Sequence, residues 1–436
     1  MILLLACQEP TTDPTPVDSA EPAPPVPDAL TSPPEAEDLD PAEGAVRFAL
    51  RAEATADGFA YNGTVPGPTL RAKVGDAVTV ELTNALAEPT TIHWHGLSVP
   101  FAMDGATWQV DPVAAGSSFT YTFTVETAGT FWYHPHIDTA HQVDRGLYGV
   151  FVVEDPTEPE ADAELILVFD ADDEEGADDH GAIDPDALVW RVNGVVEPTA
   201  RPAGGSRVRV RALNAANTGY LDLTWSGMRR IAGDQGLDAA VDLAARHLLA
   251  PGDRAEFEWD IGERPFNVIA EAYVPSGGTG WNEPRALIHV EPDVPAPFPA
   301  PMDWPVSGAL PTPDTTYTDL VYVFSGGAED ADWLINGEAW PDVTISEAPR
   351  SVLTVIEVRN LSATEHPFHL HGNAFEVLSV DGVAPGTRVV ADTWNVPIRS
   401  VARFGLTPTN PGEWMLHCHL LDHAEHGMMT LLRVPE

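Results

Sequence analysis

The stretch His417-Cys418-His419-Leu420-Leu421-Asp422-His423-Ala424-Glu425-His426-Gly427-Met428 decides how the rest of the chain is read. Cys418, His423 and Met428 offer a thiolate, an imidazole and a thioether. That soft set, with a weak axial Met, suits an electron-transfer copper. His417 and His419 flank the cysteine. On a strand, residues i−1 and i+1 face away from residue i. One backbone segment can therefore hold one metal through Cys418 and serve a second centre through its two neighbours. Such an arrangement has a purpose where electrons travel between two metal centres.

Three further clusters supply that second centre: His93-Trp94-His95-Gly96, His134-Pro135-His136 and His366-Pro367-Phe368-His369-Leu370-His371-Gly372. With the C-terminal stretch they hold eleven of the chain's 15 histidines, ten of them besides His426. In each His-x-His pair both imidazoles leave the same face of a strand. A lone histidine reads more simply. His247 and His289 read as hydrogen-bonded core residues, and His180, in an acidic loop, as a solvated one. One His-x-His pair is compatible with a structural role. Four clusters with a cysteine at fixed offsets require a metal.

Length and composition frame these motifs. A chain of 436 residues exceeds one ordinary domain and fits about three. Its 41 prolines and 35 glycines recur between short Val/Ile/Thr/Phe-rich runs such as Ala77–Leu82, Ser118–Phe123, Arg207–Val210 and Leu353–Val358, so the chain reads as all-β. Helical periodicity is scarce. With 67 acidic against 22 basic residues the net charge is −45, and Lys73 is the sole lysine. A polyanion would be repelled, which excludes nucleic-acid partners. The charge is spread along the chain and reads as a solvated surface suited to a saline habitat, ahead of attraction for cationic donors. Cys7 and Cys418 are the two cysteines, and in the roles read here they leave no disulfide.

The four motifs resemble those of the multicopper oxidases, the family of laccases, bilirubin oxidases and copper- or iron-oxidising enzymes. Tyr61-Asn62-Gly63-Thr64-Val65-Pro66-Gly67-Pro68-Thr69-Leu70-Arg71 is similar to the family's N-terminal strand signature. Leu249-Ala250-Pro251-Gly252-Asp253-Arg254 is similar to a motif of its copper-free middle domain. The resemblance runs from about Ala45 to the C-terminus. It implies three consecutive cupredoxin-like Greek-key β-sandwich domains and four coppers per chain. By the resemblance, His366, Cys418, His423 and Met428 hold the type 1 copper, with Met429 the neighbour not used. His93 and His369 hold the type 2 copper. His95, His134, His136, His371, His417 and His419 hold the type 3 pair. Every expected ligand is present, which argues against copper-free structural relatives and against simple copper storage.

The resemblance also implies the reaction. Dioxygen takes four electrons to become water, while typical donors give one each. Electrons would enter at the type 1 site, whose His366 and His423 face the donor, and Cys418 would pass them through its backbone to His417 and His419. Met428 as axial ligand predicts modest oxidising power. Asp104, eleven residues after His93, matches an acid that relatives place near the trinuclear site, and its plainer reading is a turn-forming Asp before Gly105. Relatives often carry Glu directly after the second type 1 histidine. Here Ala424 stands there, so Glu425 points elsewhere or a different acid serves, and His426 reads as a surface residue. The expected donors are phenols and aromatic amines. The alternative is Fe(II) or Cu(I) in envelope metal homeostasis. Seven scattered Met residues count against Cu(I). The acidic run Asp170-Ala171-Asp172-Asp173-Glu174-Glu175, with Asp178-Asp179, would suit Fe(II), though a solvated loop explains it as well.

The domains expected are 45–154, 155–291 and 314–436, with 292–313 a Pro-rich linker. Residues 8–44 contain no Lys or Arg and are dense in Pro and acidic residues, which reads as a disordered tether. Residues 1–7 resemble the end of a bacterial lipoprotein signal, with Leu4-Leu5-Ala6 before Cys7. An extracytoplasmic monomer is expected, membrane-bound only through a lipid on Cys7, with dioxygen and a small donor as partners.

Overall fold

The computed structural model describes residues 29–108, 110–173, 188–243, 245–273, 283–300, 302–305, 317–327 and 332–436. Among them the chain is almost entirely β. Six sheets occur as three pairs, and each pair draws its strands from one continuous part of the sequence. The first part runs from Ala45 to Glu154, the second from Ala163 to Val290 and the third from Leu320 to Val434. These parts are called domains 1, 2 and 3 below.

Alternation explains why the strands form where they do. In β1 (Ala45–Ala54), Val46, Phe48, Leu50 and Ala52 are buried while Arg47, Ala49 and Arg51 face solvent. β2 (Ala77–Asn84) repeats the pattern and pairs with β1 in parallel. The facing sheet of domain 1 carries β3 (His93–His95) and β4 (Gly129–His134), where every residue is buried. Its edge lies against the rest of the molecule. A strand covered on both faces loses the polar alternation of a half-exposed one.

Two short helices complete the elements near the site: α1 (Thr139–Asp144) after β4, and α2 (Leu421–Glu425) in domain 3. In domain 2, β5 (Arg207–Asn214) and β6 (Arg254–Asp260) pair antiparallel. Arg209 and Arg211 on β5 clasp the fully buried Glu256 on β6 at 2.6 Å each, and Thr130 of domain 1 donates to the same carboxylate at 2.7 Å. Burial alone would raise the pKa of Glu256, but the two guanidiniums hold it below the usual glutamate range. A carboxyl with a depressed folded pKa contributes stability above its unfolded value that is lost as pH falls through the folded one. Thermal unfolding should therefore fall in midpoint below about pH 4.3, the ordinary glutamate value. In Glu256→Gln that extra acid sensitivity should shrink, and an unchanged pH profile in the variant would refute the assignment.

Domain 3 contributes β7 (His366–Leu370), β8 (Thr393–Val396), β9 (Gly412–Cys418), α2 (Leu421–Glu425) and β10 (Met429–Val434). β7 lies between β8 and β9, and β10 flanks β9. A tryptophan of the Pro-rich linker, Trp304, packs into domain 2 and donates its indole N–H to Glu258 at 2.5 Å.

One expectation is corrected. Residues 29–44 are not a free tether. Leu30 is buried in the core of domain 2, and its N–H donates to Thr199 at 2.9 Å. Pro34 accepts from Thr69 of domain 1 at 2.7 Å, and Ala36 donates back at 2.9 Å. Arg71 holds Glu35 at 2.8 Å. The segment buries little of its own, yet it closes sheet edges already present in two domains, and its prolines stand where no donor is required. Residues 1–28, with the signal-like start, Cys7 and the rest of the expected tether, lie outside the described residues.

Candidate metal centres

Strand register places the ligands. His369 on β7 lies opposite His417 on β9, and Phe368 lies opposite Cys418. The period-two alternation then sends His369 and His417 to one face and Cys418 to the other. Cys418 enters the core of domain 3 beside Phe368 and Met428, all three fully buried. Its Sγ lies 3.4 Å from His366 Nδ1 and 3.7 Å from His423 Nδ1, and the two imidazole nitrogens are 3.2 Å apart. The backbone closes the loop around them: Met428 donates to His423 at 2.9 Å and accepts from Cys418 at 3.2 Å. Ser362 Oγ, 2.7 Å from His366 Nε2, orients that ring. These three side chains could hold one metal ion.

The second cluster forms where domains 1 and 3 meet. Domain 1 provides His93, opposite His134 on the neighbouring strand, with His95 and His136. Domain 3 provides His369, His371, His417 and His419. The two sets interleave: His93 stacks on His371 and His95 on His369, each with ring centroids 3.8 Å apart. All eight are buried. Burial first, then mutual repulsion, pushes His134, His136, His371, His417 and His419 well below the usual histidine range, so they are neutral imidazoles ready to coordinate.

Their hydrogen bonds show which nitrogen is free. Nδ1–H donates to Asp104 O at 3.1 Å from His93, to Pro135 O at 2.8 Å from His134, to Asp392 O at 2.9 Å from His369 and to Cys418 O at 2.8 Å from His417. His371 Nδ1–H donates to Asp104 Oδ2 at 2.8 Å. Each Nε2 is left with a bare lone pair. Among the described residues, those of His93, His134 and His369 have no hydrogen-bond partner, nor has Nδ1 of His95 or either nitrogen of His419. His371 Nε2 and His417 Nε2 face each other at 3.1 Å with both Nδ1 protons already committed. Two lone pairs aimed at one point among buried side chains call for a cation between them. The residues fit a metal.

The middle domain seals this cluster. Gly252, in the Leu249–Arg254 stretch, has φ +84, and a Cβ there would meet His419 Cγ at 2.8 Å, so only glycine fits. Gly105 (φ +81) is as tightly held: its Cβ would strike the Ile92 carbonyl at 1.8 Å. That turn presents Asp104, which is both a turn residue and the partner of His93 and His371.

Several participants carry no motif. Asp392 Oδ1 lies 3.1 Å from His95 Nε2 and 3.5 Å from His369 Nδ1, and Thr393 Oγ1 lies 2.9 Å from the same His95 nitrogen. Burial would raise Asp392, but Arg254 and the two histidines hold it well below the carboxylate range. Trp333 stacks on His423, centroids 3.8 Å apart, and flanks His366 edge-on. Glu425 faces α1 instead of either cluster, accepting the Ala140 N–H at 2.9 Å. His289 is half-buried on the surface of domain 2, bonded to Asn267 at 2.9 Å, and not a core residue. Loss of a carboxylate behind a ligating histidine typically costs 10–100-fold in metal affinity. Asp392→Asn should weaken copper retention by about that factor, read as copper per chain after equilibrium dialysis. Full retention would show that Asp392 does not orient these rings.

Comparison with known proteins agrees with this geometry. Profiles described as multicopper oxidase match residues 45–158 and 312–436. "Multicopper oxidase mco" of Staphylococcus haemolyticus is 30% identical, covering 86% of this chain and 83% of its own. The chain belongs to the multicopper oxidases. It is accordingly an oxidoreductase that uses copper, dioxygen and a donor. "Multicopper oxidase MmcO" of Mycobacterium tuberculosis is 29% identical over 85% of this chain and 82% of that one. The Campylobacter jejuni multicopper oxidase, described as a metallo-oxidase, superposes with TM-score 0.81 over 94% of this chain and 96% of its own, at 24% identity. A laccase-like oxidase of Ochrobactrum sp., with activity towards lignin model compounds, gives 0.79 at 25% identity, covering 93% of this chain and all of that one (100%). This multicopper oxidase thus shares the cupredoxin-like architecture of the family in all three domains.

Proposed function

We propose that this multicopper oxidase couples one-electron oxidation of phenolic or aromatic amine donors to the four-electron reduction of dioxygen to water. His366, Cys418, His423 and Met428 would hold the type 1 copper, His93 and His369 the type 2 copper, and His95, His134, His136, His371, His417 and His419 the type 3 pair. Copper at these positions supplies reversible one-electron chemistry and the site of dioxygen reduction. The observation that carries the reading is the continuity of Cys418 with its neighbours. One strand end puts the thiol in the core and its two flanking imidazoles in the eight-histidine cluster. Burial pushes the Cys418 thiol pKa up, so the thiolate forms only with a cation at Sγ. Asp104 holds His93 and His371 in register. The aromatic ring on His423, Trp333, favours a flat organic donor. The rival donor, Fe(II), would draw on the acidic run from Asp170, but Asp170 is buried and accepts from Tyr148 Oη at 2.5 Å. Glu174, Glu175, Asp178 and Asp179 lie outside the described residues. Placement outside the cytoplasm, with a lipid on Cys7, rests on the Leu4-Leu5-Ala6-Cys7 sequence.

Oxygen uptake by the copper-loaded protein tests the donor. An electron-rich phenol should be consumed faster than Fe(II) or Cu(I) under matched conditions. Preference for a metal ion would replace the reading with a metallo-oxidase, and no uptake with any donor would remove it.

A further inference from the structure

Three carboxylates surround one guanidinium where the three domains meet. Asp392 takes Arg254 at 2.5 and 2.8 Å, and Asp234 lies 3.3 Å from it. Asp253, the residue before Arg254, accepts the Ala250 N–H on Oδ2 at 3.0 Å, while its Oδ1 is shut off with no hydrogen-bond partner among the described residues. With all three acids ionised, Arg254 would leave two negative charges uncompensated in a buried junction. Such a group keeps a proton instead. Asp392 is not its holder, because Arg254, His369 and His95 keep that carboxyl ionised against its burial. Burial first, then repulsion from neighbouring carboxylates, pushes the other two up against the pull of Arg254, Asp234 to about 7.

This pair sits between water and the histidine cluster. Asp234, Asp253 and Thr393 all line a cavity of about 390 Å³ between domains 2 and 3, which has room for several waters. On the cluster side, Asp234 Oδ2 accepts the Thr393 N–H at 3.1 Å, and Thr393 Oγ1 lies 2.9 Å from His95 Nε2. A hydroxyl both accepts and donates, so Thr393 can pass a proton from one side to the other. The other ionisable groups of the lining are Arg230, Arg246, His247, Tyr273 and Glu365. Arg246 pairs with Asp222, Glu365 accepts from Tyr273 and Asn395, and burial, then Arg230, pushes His247 down to about 3. A proton source is wanted here, since Ala424 replaces the acid of many relatives and Glu425 faces α1.

We infer that Asp234 and Asp253 hold a proton in reserve for dioxygen reduction and pass it towards the histidine cluster by way of Thr393, with cavity water restoring it. The inference rests on the oxidase reading. Each dioxygen takes four electrons from donors and four protons from acids to give two waters. A proton leaving the pair makes it one charge more negative until solvent supplies the next, so atoms and charge balance.

Infrared spectroscopy of the copper-loaded protein reads the reserve without turnover. The carbonyl stretch of a protonated carboxyl should be present in mild acid, shift in heavy water and fade as pH rises past about 7. Asp253→Asn should remove it, because Asp234 then ionises beside Arg254, and Asp253→Glu should keep it. With a saturating phenol, Asp253→Asn should lower oxygen uptake by about 100-fold, the low end for proton transfer by a placed group, with copper content and blue absorption unchanged. The wild-type rate should fall as pH passes about 7, where the reserve empties, and Asp253→Asn should lack that step. A wild-type band that does not respond to pH would overturn the inference even if no variant folds. So would a band that survives Asp253→Asn, or a variant with undiminished uptake and the wild-type pH profile. Uptake intact in the variant would remove this inference alone, whereas no uptake by the wild type with any donor would remove the oxidase reading.

Discussion

Cys418→Ser will abolish the blue absorption and donor-driven oxygen uptake while the eight-histidine cluster keeps its copper. The thiol is fully buried, within 3.4 Å of His366 Nδ1 and 3.7 Å of His423 Nδ1, and serine replaces a soft donor with a hard one of similar shape. The loss should exceed the roughly 10–100-fold typical of an outer hydrogen-bond partner, because a ligand itself is removed. Copper analysis and electron paramagnetic resonance separate the two centres in the same sample. Surviving donor oxidation would show that electrons reach the histidine cluster by a path that avoids Cys418. Loss of all copper would show that the two centres are not separable.

Arg254→Ala should have the largest effect on stability. Its guanidinium is fully buried where the three domains meet. It donates to Thr130 O of domain 1 at 3.1 Å and to Asp392 Oδ1 of domain 3 at 2.8 Å, and it lies 3.3 Å from Asp234 within domain 2. Removing one partner of a buried ion pair strands the other charge, at a cost of about 3–5 kcal/mol. Here the stranded charge is Asp392, which backs His95 and His369, so copper retention should fall together with the denaturation midpoint. A variant that unfolds at the wild-type denaturant concentration would show that the domains are held by other contacts, such as the Glu256 clasp and the Leu30 strap.

The two predictions differ in how far the sequence alone could have led to them. Cys418 was legible because its partners His417, His419, His423 and Met428 lie within twelve residues, and alternation along a strand is a local rule. Asp104 was legible from its distance to His93, although its contact with His371 was not. Arg254 belonged to a recognisable stretch, but nothing local gave its partners, which stand 124 and 138 residues away. Asp392, at the bend before β8, and Thr393, the first residue of β8, carry no motif. Trp333 reads as one more strand aromatic until the fold lays it on His423. Residues 29–44 look like a tether because composition measures only what a segment can bury by itself. Leu30 and the backbone of Pro34 to Ala36 are ordered by edges that other parts of the chain provide.

What kind of atom is offered to a metal is therefore a local property. So is the face of a strand on which it stands, since side-chain chemistry and the two-residue period depend on near neighbours alone. Which of those atoms converge is not. The stacking of His93 on His371 and of His95 on His369 and the buried Arg254–Asp392 pair join residues from separate domains, and the facing lone pairs of His371 and His417 join stretches of domain 3 that are 46 residues apart. Their distances follow from the docking of whole sheets, a balance of burial and desolvation summed over the interface. No short stretch of this chain encodes that sum.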